Sequence, residues 1–188
     1  MTEIKIRDAR IDDCPSLARI IISATDHAFR GRVPDQCLDW LTPEESASNW
    51  AKNFTDERHL ASGDSLYVAE TESNEVIGLA MLTKISSGDG YEPSITKQYF
   101  HELRSLQVDP NWHGRGVGRQ LVGHIANKLQ REGATHLLVK VLVENPNQGF
   151  YEHLGAIPLG SHPYDWEGYM TEELIYGWND IKNLPNAH

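Results

Sequence analysis

The sequence predicts an α+β fold, a mixed α/β arrangement in which helices flank a mostly antiparallel central sheet. Three observations predict it. Strand-like and helix-like segments alternate along the chain, without the strict βαβ rhythm of a doubly wound sheet. Two strand-like runs, 66–70 and 75–83, are separated only by a polar segment holding Ser73 and Asn74, so they close as an antiparallel hairpin. Finally, 188 residues with no internal repeat, linker or composition break make one domain of ordinary size, expected over 1–180 with 181–188 as a loose tail.

Each element follows from a local signal. Residues 2–7 set Ile4 and Ile6 between polar neighbours, the pattern of a short half-buried strand. Asp12 or Asp13 then caps a helix with Pro15 in its first turn and Leu17, Ile20, Ile21 and Ala24 along one face. A second helical region covers 34–40 and 42–54, the latter opening on Thr42, Pro43, Glu44 and Glu45, and Gly63 and Asp64 end it. Beyond the hairpin, 88–93 is a polar loop and 100–108 the next strand, stopped by Asp109 and Pro110. Val117, Leu121, Ile125 and Leu129 recur every four residues in a helix over 116–131, which Gly133 terminates. The nearly continuous apolar run 136–143 fits a strand covered on both faces. A short helix at 146–154 and strands at 156–159 and 173–178 complete the chain.

Composition narrows the function. The chain carries 17 Lys and Arg against 27 Asp and Glu, a net charge of −10 with histidines neutral. Nucleic acid is therefore not the expected partner, because binding its backbone needs clustered cations. No stretch approaches the roughly 18 consecutive apolar residues that span a bilayer, and the first ten residues lack a signal-peptide profile, so no membrane partner is expected. Cys14 and Cys37 form neither a disulfide framework nor a metal-ligand spacing and are expected to pack rather than react. A cytoplasmic location without metal follows as the expectation. Whether the chain forms a homodimer is left open.

The stretch from Leu106 to Leu121 carries the chemistry: a strand, a glycine-rich turn and an amphipathic helix. Gly114, Gly116 and Gly118 remove side chains where the backbone enters the helix, so successive N–H groups can surround an anion that the helix dipole also favours. Between Pro110 and Arg131 the only charges are Arg115, Arg119, Lys128 and Arg131, whereas the remainder holds thirteen cations against 27 acids. That local reversal of sign points to a phosphate-bearing ligand. The alternative, a tight turn followed by a solvated basic helix face, stays open. Gly118 is followed by Arg119 and Gln120 rather than Lys and Ser or Thr, so the nucleoside triphosphate loop is not supported. The glycine spacing also differs from the dinucleotide fingerprint.

The segment His113-Gly114-Arg115-Gly116-Val117-Gly118, preceded by Val108, Asp109 and Pro110, resembles the acetyl-CoA motif of the GCN5-related N-acetyltransferase (GNAT) superfamily, with His113 in place of the usual Gln or Arg. The run from Glu144 to Ala156, including Asn145, Phe150 and Tyr151, is similar to that family's second motif. The resemblance implies a splayed central sheet and acetyl-CoA as cosubstrate. It also implies that the amides of His113, Gly114, Arg115, Gly116, Val117, Gly118 and Arg119 bind the CoA pyrophosphate. Leu106 and Val108 would pair with the pantetheine arm, with Gln107 pointing to the other face, and Asn145 would hydrogen-bond the arm. A bulge or splay at the end of that strand would leave main-chain groups unpaired for the arm, and the Leu106 N–H could polarise the thioester carbonyl. Asn145 reads equally as a helix cap before Pro146.

Two side chains are the catalytic candidates. Tyr151 occupies the position of the family's general acid, and a phenol with a pKa of about 10 stays protonated at neutral pH; the other role for it is a core aromatic. Glu102 matches the base of the family's histone-acetylating branch and, four residues from Leu106, is expected on the same strand face. A structural pair with Arg104, or a water chain in place of the base, are its alternatives. His101 is expected on the opposite face.

The resemblance thus implies an acetyl-CoA-dependent N-acetyltransferase acting directly on a primary amine, with a noncatalytic acyl-CoA-binding or sensor module as the alternative. The acceptor site would be framed by residues 27–40, 86–91 and 162–169. No Lys or Arg stands between Lys140 and Lys182, while Glu144, Glu152, Asp165, Glu167, Glu172, Glu173 and Asp180 do, so the expected acceptor is a small cationic amine or a peptide amine; the alternative, that these acids only keep the protein soluble, stays open.

Overall fold

Seven strands form one sheet in the order β1-β2-β3-β4-β5-β7-β6. In the computed structural model, which describes residues 3–39, 42–57, 62–86 and 90–184, they are β1 (Ile4–Asp8), β2 (Ser65–Thr71), β3 (Val76–Lys84), β4 (His101–Val108), β5 (Leu137–Leu142), β6 (Ile157–Trp166) and β7 (Tyr169–Trp178). Every pairing is antiparallel except β4 with β5. Five helices accompany the sheet among the described residues: α1 (Cys14–Phe29), α2 (Pro43–Thr55), α3 (Pro93–Thr96), α4 (Val117–Arg131) and α5 (Gly149–His153). The α+β class, the hairpin at Asn74 and, apart from the short α3, the order of elements are as the sequence predicts. Among the described residues no helix is long and apolar enough to cross a membrane.

The two faces of the sheet are covered by different helices. Val117, Leu121, Val122, Ile125 and Leu129 of α4 are fully buried against Tyr67, Ala80, Leu82, Leu103, Leu137 and Val139. Gly78 permits this approach, since a Cβ there would stand 3.1 Å from Val117 and 3.3 Å from Leu121. On the opposite face Leu17 and Ile20 of α1 pack on Val68, Val76 and Leu79, and α2 lies against α1. The Thr42 capping box forms as expected, Thr42 Oγ accepting from the Glu45 amide at 3.2 Å and Glu45 Oε2 from the Thr42 amide at 3.1 Å.

Several local expectations change. Asp13 does not cap α1 with its side chain; its carboxylate accepts from the Arg10 amide at 2.7 Å and from both terminal nitrogens of Arg7 at 2.8 and 2.9 Å. The stretch expected to be helical from residue 34 makes only a 3-10 turn over Asp35–Cys37, and Trp40 lies outside the described residues. The closing strands are ten residues each, joined at Glu167 and Gly168 with φ of 51° and 83°, a primed turn that suits strand twist. Pro158 and Pro163 hide this length in the sequence, and they are tolerated because β6 is an edge strand. The tail is anchored where it was expected to be loose: Ile181 and Leu184 are buried in the α4 core, and the Ile181 amide donates to Thr135 O at 3.0 Å. Residues 185–188 lie outside the described residues.

Arg7 ties β1 to its surroundings through Asp13 and Glu70, at 2.8 and 2.6 Å, with all three side chains mostly buried. Burial would raise the Asp13 carboxyl, but the hydrogen bonds from Arg7 and the Arg10 amide outweigh it and hold the group below its ordinary value. Arg7→Met strands two carboxylates and is expected to lower unfolding free energy by about 3 kcal/mol, read from urea denaturation at pH 7. The Asp13 contribution is present above the unfolded carboxyl pKa and disappears as pH falls through the depressed folded value. The gap between wild type and Arg7→Met therefore narrows in acid.

Candidate active site

The site begins where β4 leaves β5. The two strands pair only through Glu102 with Leu138 and Leu103 with Val139, and beyond Leu103 the facing edges part. On its other side β4 stays paired with β3 as far as Val108. The Asp109 amide donates to Ile77 O at 2.9 Å, so by alternation the Val108 and Leu106 N–H groups point the other way, into the gap. The expected splay is present, and its open edge carries Leu106 and Val108.

The glycine-rich turn stands at the end of that edge. Gly114 and Gly116 have φ of 72° and 81°, conformations that any side chain would strain, and a Cβ at either would meet nothing within 4 Å. Among the described residues no protein group accepts from the amides of Gly114, Arg115, Gly116, Val117, Gly118 or Arg119, and the first helical bond here comes from the Gln120 amide to Gly116 O at 3.0 Å. Six consecutive donors thus open at the start of a fifteen-residue helix. His113 departs from expectation: its amide donates to Pro110 O at 3.2 Å, and its ring Nε2 lies 3.0 Å from Val108 O. It closes the last carbonyl of the open edge and adds no donor to the cradle. Gly118 has a second role, because a Cβ there would stand 3.3 Å from the Phe150 ring.

The sequence signal of four cations resolves into two groups. Arg119 lines the cradle, and Arg115 lies over the Trp112 ring at 4.7 Å. Lys128, about 14 Å further along the helix by its rise per residue, pairs with Glu132. The turn itself is moored by a residue the sequence did not single out, Arg19 of α1, which bonds the buried Asp109 carboxylate and, at 2.8 Å, Val76 O. Burial would raise Asp109, yet the Arg19 guanidinium and the Asn111 amide hold it below the usual carboxylate range.

Two cavities meet at the gap. One, of about 350 Å³, is lined by the cradle, Leu106, Val108, Trp112 and Phe150. The other, of about 290 Å³, is lined by Arg104, Lys140, Glu173, Tyr164 and Trp166. Leu106, Gln107, Asn145, Tyr151 and Phe29 border both. Asn145 does not cap α5, which starts at Gly149 after Gln148; its Oδ1 accepts from the Asn147 amide at 2.9 Å within the preceding turn, and its side-chain NH₂ has no protein acceptor among the described residues. Tyr151 packs its ring against Phe150, Tyr176 and Trp178, while its hydroxyl makes no hydrogen bond with described residues. Burial pushes the Tyr151 phenol up to about 12, so it is a proton donor throughout the neutral range.

Glu102 requires a correction. The register slips between Met81 and Leu82, which face Ser105 and Leu103, so Arg104 is the extra residue of a bulge. One extra residue inverts the alternation. Leu103 and Leu106 therefore share the α4 face, and Glu102 lies on the opposite face from Leu106 instead of beside it. Its carboxylate is nearly inaccessible, lines neither cavity and sits 3.3 Å from Arg104 Nη1. The Tyr91 hydroxyl, buried without a hydrogen-bond partner, is raised in pKa by desolvation and then by the Glu102 charge.

The acceptor-side charges also differ from expectation. Glu144 accepts from the Tyr169 and Thr171 hydroxyls at 3.1 and 2.6 Å, Glu152 from Tyr176 at 3.1 Å, and Asp165 from the Gly168 amide at 2.7 Å. Glu173 alone of the seven acids lines the cavity, against Lys140 at 3.2 Å and His162 at 2.9 Å. Glu144, Glu152 and Asp165 thus bond local hydroxyls and a turn, and the acidic count of this segment does not translate into acids lining the cavity. Residues 87–89, part of the expected acceptor frame, lie outside the described residues. Cys14 and Cys37 are buried, with Cys37 Sγ 3.3 Å from Trp166 O. Among the described residues no group of three or more His, Cys, Asp and Glu side chains is disposed to hold a metal ion.

This architecture has known counterparts. Residues 34–156 match the acetyltransferase (GNAT) family. The chain is 24% identical over 182 residues to an uncharacterized N-acetyltransferase, YuaI, of Bacillus subtilis, covering 96% of each chain. It is 32% identical over 94 residues to the mycothiol acetyltransferase of Kocuria rhizophila, covering 50% of this chain and 29% of that one. Among solved structures, PaiA N-acetyltransferase from Thermoplasma acidophilum in complex with coenzyme A superposes with a TM-score of 0.68 at 15% identity, over 94% of this chain and 99% of that one. YncA from Salmonella typhimurium with acetyl-CoA gives 0.63 at 21% identity, over 94% of each.

Proposed function

The chain belongs to the acetyltransferase (GNAT) family, and from that premise we propose that it moves an acetyl group from acetyl-CoA directly to the primary amine of a small molecule. One observation carries the reading: six consecutive unpaired amides at the start of α4, five of them on residues that line the cavity, stand beside the unpaired edge of β4. A diphosphate matches the first, since it is anionic and rich in acceptors. A pantetheine arm matches the second, since its amides can continue the sheet as a strand would. The cavity residues fit coenzyme A on both counts.

Acetyl-CoA supplies an activated acyl group when bound, and the chain's own residues supply the rest. The Gly114, Arg115, Gly116, Val117, Gly118 and Arg119 amides hold the diphosphate, with Arg119 beside them. Leu106 and Val108 hold the arm, aided by the Asn145 NH₂. The Leu106 N–H donates to the acyl oxygen as charge develops there. The amine lone pair forms the C–N bond while the C–S bond breaks, and the Tyr151 hydroxyl gives its proton to the departing sulfur. The amine proton leaves by way of water to Glu102. That assignment is supported by the face Glu102 occupies, opposite Leu106, and by its contact with Arg104, which lines the second cavity.

Gly116→Asp places a carboxylate among the donors at a φ of 81°, and calorimetry with coenzyme A is expected to show at least about a hundredfold weaker binding. Undiminished affinity would remove the cradle from the account. Tyr151→Phe is expected to lower kcat about ten- to a hundredfold with little change in CoA affinity. Because burial pushes that phenol up to about 12, the loss should be equal at pH 7 and pH 9. Glu102→Gln is expected to slow acetylation by about tenfold or more with CoA binding retained; unaltered turnover would leave water alone as the proton's route. A protein that binds coenzyme A but consumes acetyl-CoA with no amine is a sensor instead.

A further inference from the structure

Resting on the acetyl-transfer reading, we propose that the Arg115 guanidinium binds the third phosphate of coenzyme A, the 3′-phosphate on its ribose, and so tells the coenzyme from its 3′-dephospho form. The run from Pro110 to Arg131 holds four cations and no acid in a chain of net charge −10. The fold divides them: Lys128 and Arg131 stand in the last turn of α4, and Arg115 and Arg119 at the glycine-rich turn. With described residues, neither of the latter two makes a hydrogen bond or an ion pair. The other cations around the site have carboxylate partners, Arg19 in Asp109, Arg104 in Glu102 and Lys140 in Glu173. Arg119 lines the cradle cavity beside the amides and supplies charge for the diphosphate. Arg115 is an exposed residue between Gly114 and Gly116, and its guanidinium folds back over the Trp112 ring at 4.7 Å. Contact with a ring takes the face of a guanidinium and leaves the N–H groups free along its edge, so the cation is positioned without being neutralised.

The direction of the ligand selects the phosphate. The arm runs from the diphosphate along the β4 edge toward Leu106, so the nucleoside leaves the diphosphate on the other side, beyond Val108. Trp112, which follows that strand end, lines the cradle cavity of about 350 Å³, and the Arg115 guanidinium is carried on this wall. An arginine side chain reaches about as far from its own amide as a ribose separates its 5′ and 3′ phosphoryl groups. A residue whose amide belongs to the cradle can therefore bring its guanidinium to the 3′ position. A phosphomonoester there carries about −1.5 to −2 charge at neutral pH and three acceptor oxygens, which the planar N–H edge of the guanidinium meets in pairs.

The test is titration calorimetry on the full chain with coenzyme A and, separately, with 3′-dephospho-coenzyme A. Wild type is expected to bind the intact coenzyme at least about tenfold more tightly. Arg115→Gln is expected to lose most of that margin by weakening coenzyme A alone, with the dephospho form still bound within about twofold of wild type, which also reports that the variant is folded and its cradle intact. Arg115→Lys is expected to restore part of the margin, because an ammonium offers a point charge where the guanidinium offers a fork. Equal affinity for the two forms in wild type, or a margin that survives in Arg115→Gln, would overturn the assignment and leave the cradle standing. Equal weakening of both forms in Arg115→Gln would overturn it as well, since the side chain would then serve the turn through Trp112 and not the phosphate. If wild type binds neither form, the acetyl-transfer reading falls with it.

Discussion

The early parting of β4 and β5 is the constraint on which the rest of the site depends. A parallel pair normally continues as long as both strands do, because each lost rung leaves main-chain donors and acceptors without partners. Here the pairing ends after Leu103 and Val139, although β4 runs on to Val108 and β5 to Leu142. The edges are only partly buried, and Val108 O is satisfied by the His113 ring. What remains, around Leu106, is a short ladder waiting for a strand. An extended ligand with its own amides is the chemistry that completes it without repacking the core.

The parting has to be held open, and the contacts that do so come from distant parts of the chain. Arg19 of α1 fixes Asp109 and Val76, setting the level at which β4 turns into the glycine-rich segment. Phe150 packs against Gly118, bringing α5 and its neighbour Tyr151 to the start of α4. Gly78 lets α4 settle onto β3. The six open amides run from the glycine-rich turn into the first turn of a helix whose apolar face is fully buried. Their alignment costs no reorganisation when an anion arrives.

The bulge at Arg104 changes which face of β4 each residue takes. Before it, the α4 face carries His101 and Leu103; after it, Leu106 and Val108 take that face, and Glu102 is left on the other. One inserted residue thereby puts Glu102 and Leu106 on opposite faces of one strand, four residues apart. The same residue pairs its guanidinium with the Glu102 carboxylate and lines the cavity that also holds Lys140 and Glu173, which links the shape of the backbone to the charge of that cavity.

Much of this was legible in the amino-acid sequence alone. The four-residue recurrence from Val117 to Leu129, the hairpin at Asn74, the capping box at Thr42 and the glycine spacing at 114, 116 and 118 are local signals, each set by a few neighbouring residues, and each appears where it was expected. So do Tyr151 and Asn145 at the gap, because their positions follow from a turn only a few residues away. What only the tertiary structure decided depends on long-range pairing. A bulge is a mismatch between two strands and leaves no mark on either one, so the face of Glu102 was misjudged. The use of the His113 amide by Pro110, the mooring of Asp109 by Arg19 and the consumption of Glu144 and Glu152 by hydroxyls on β7 are likewise partnerships. Composition counts charges, but only the fold says which of them still face a ligand.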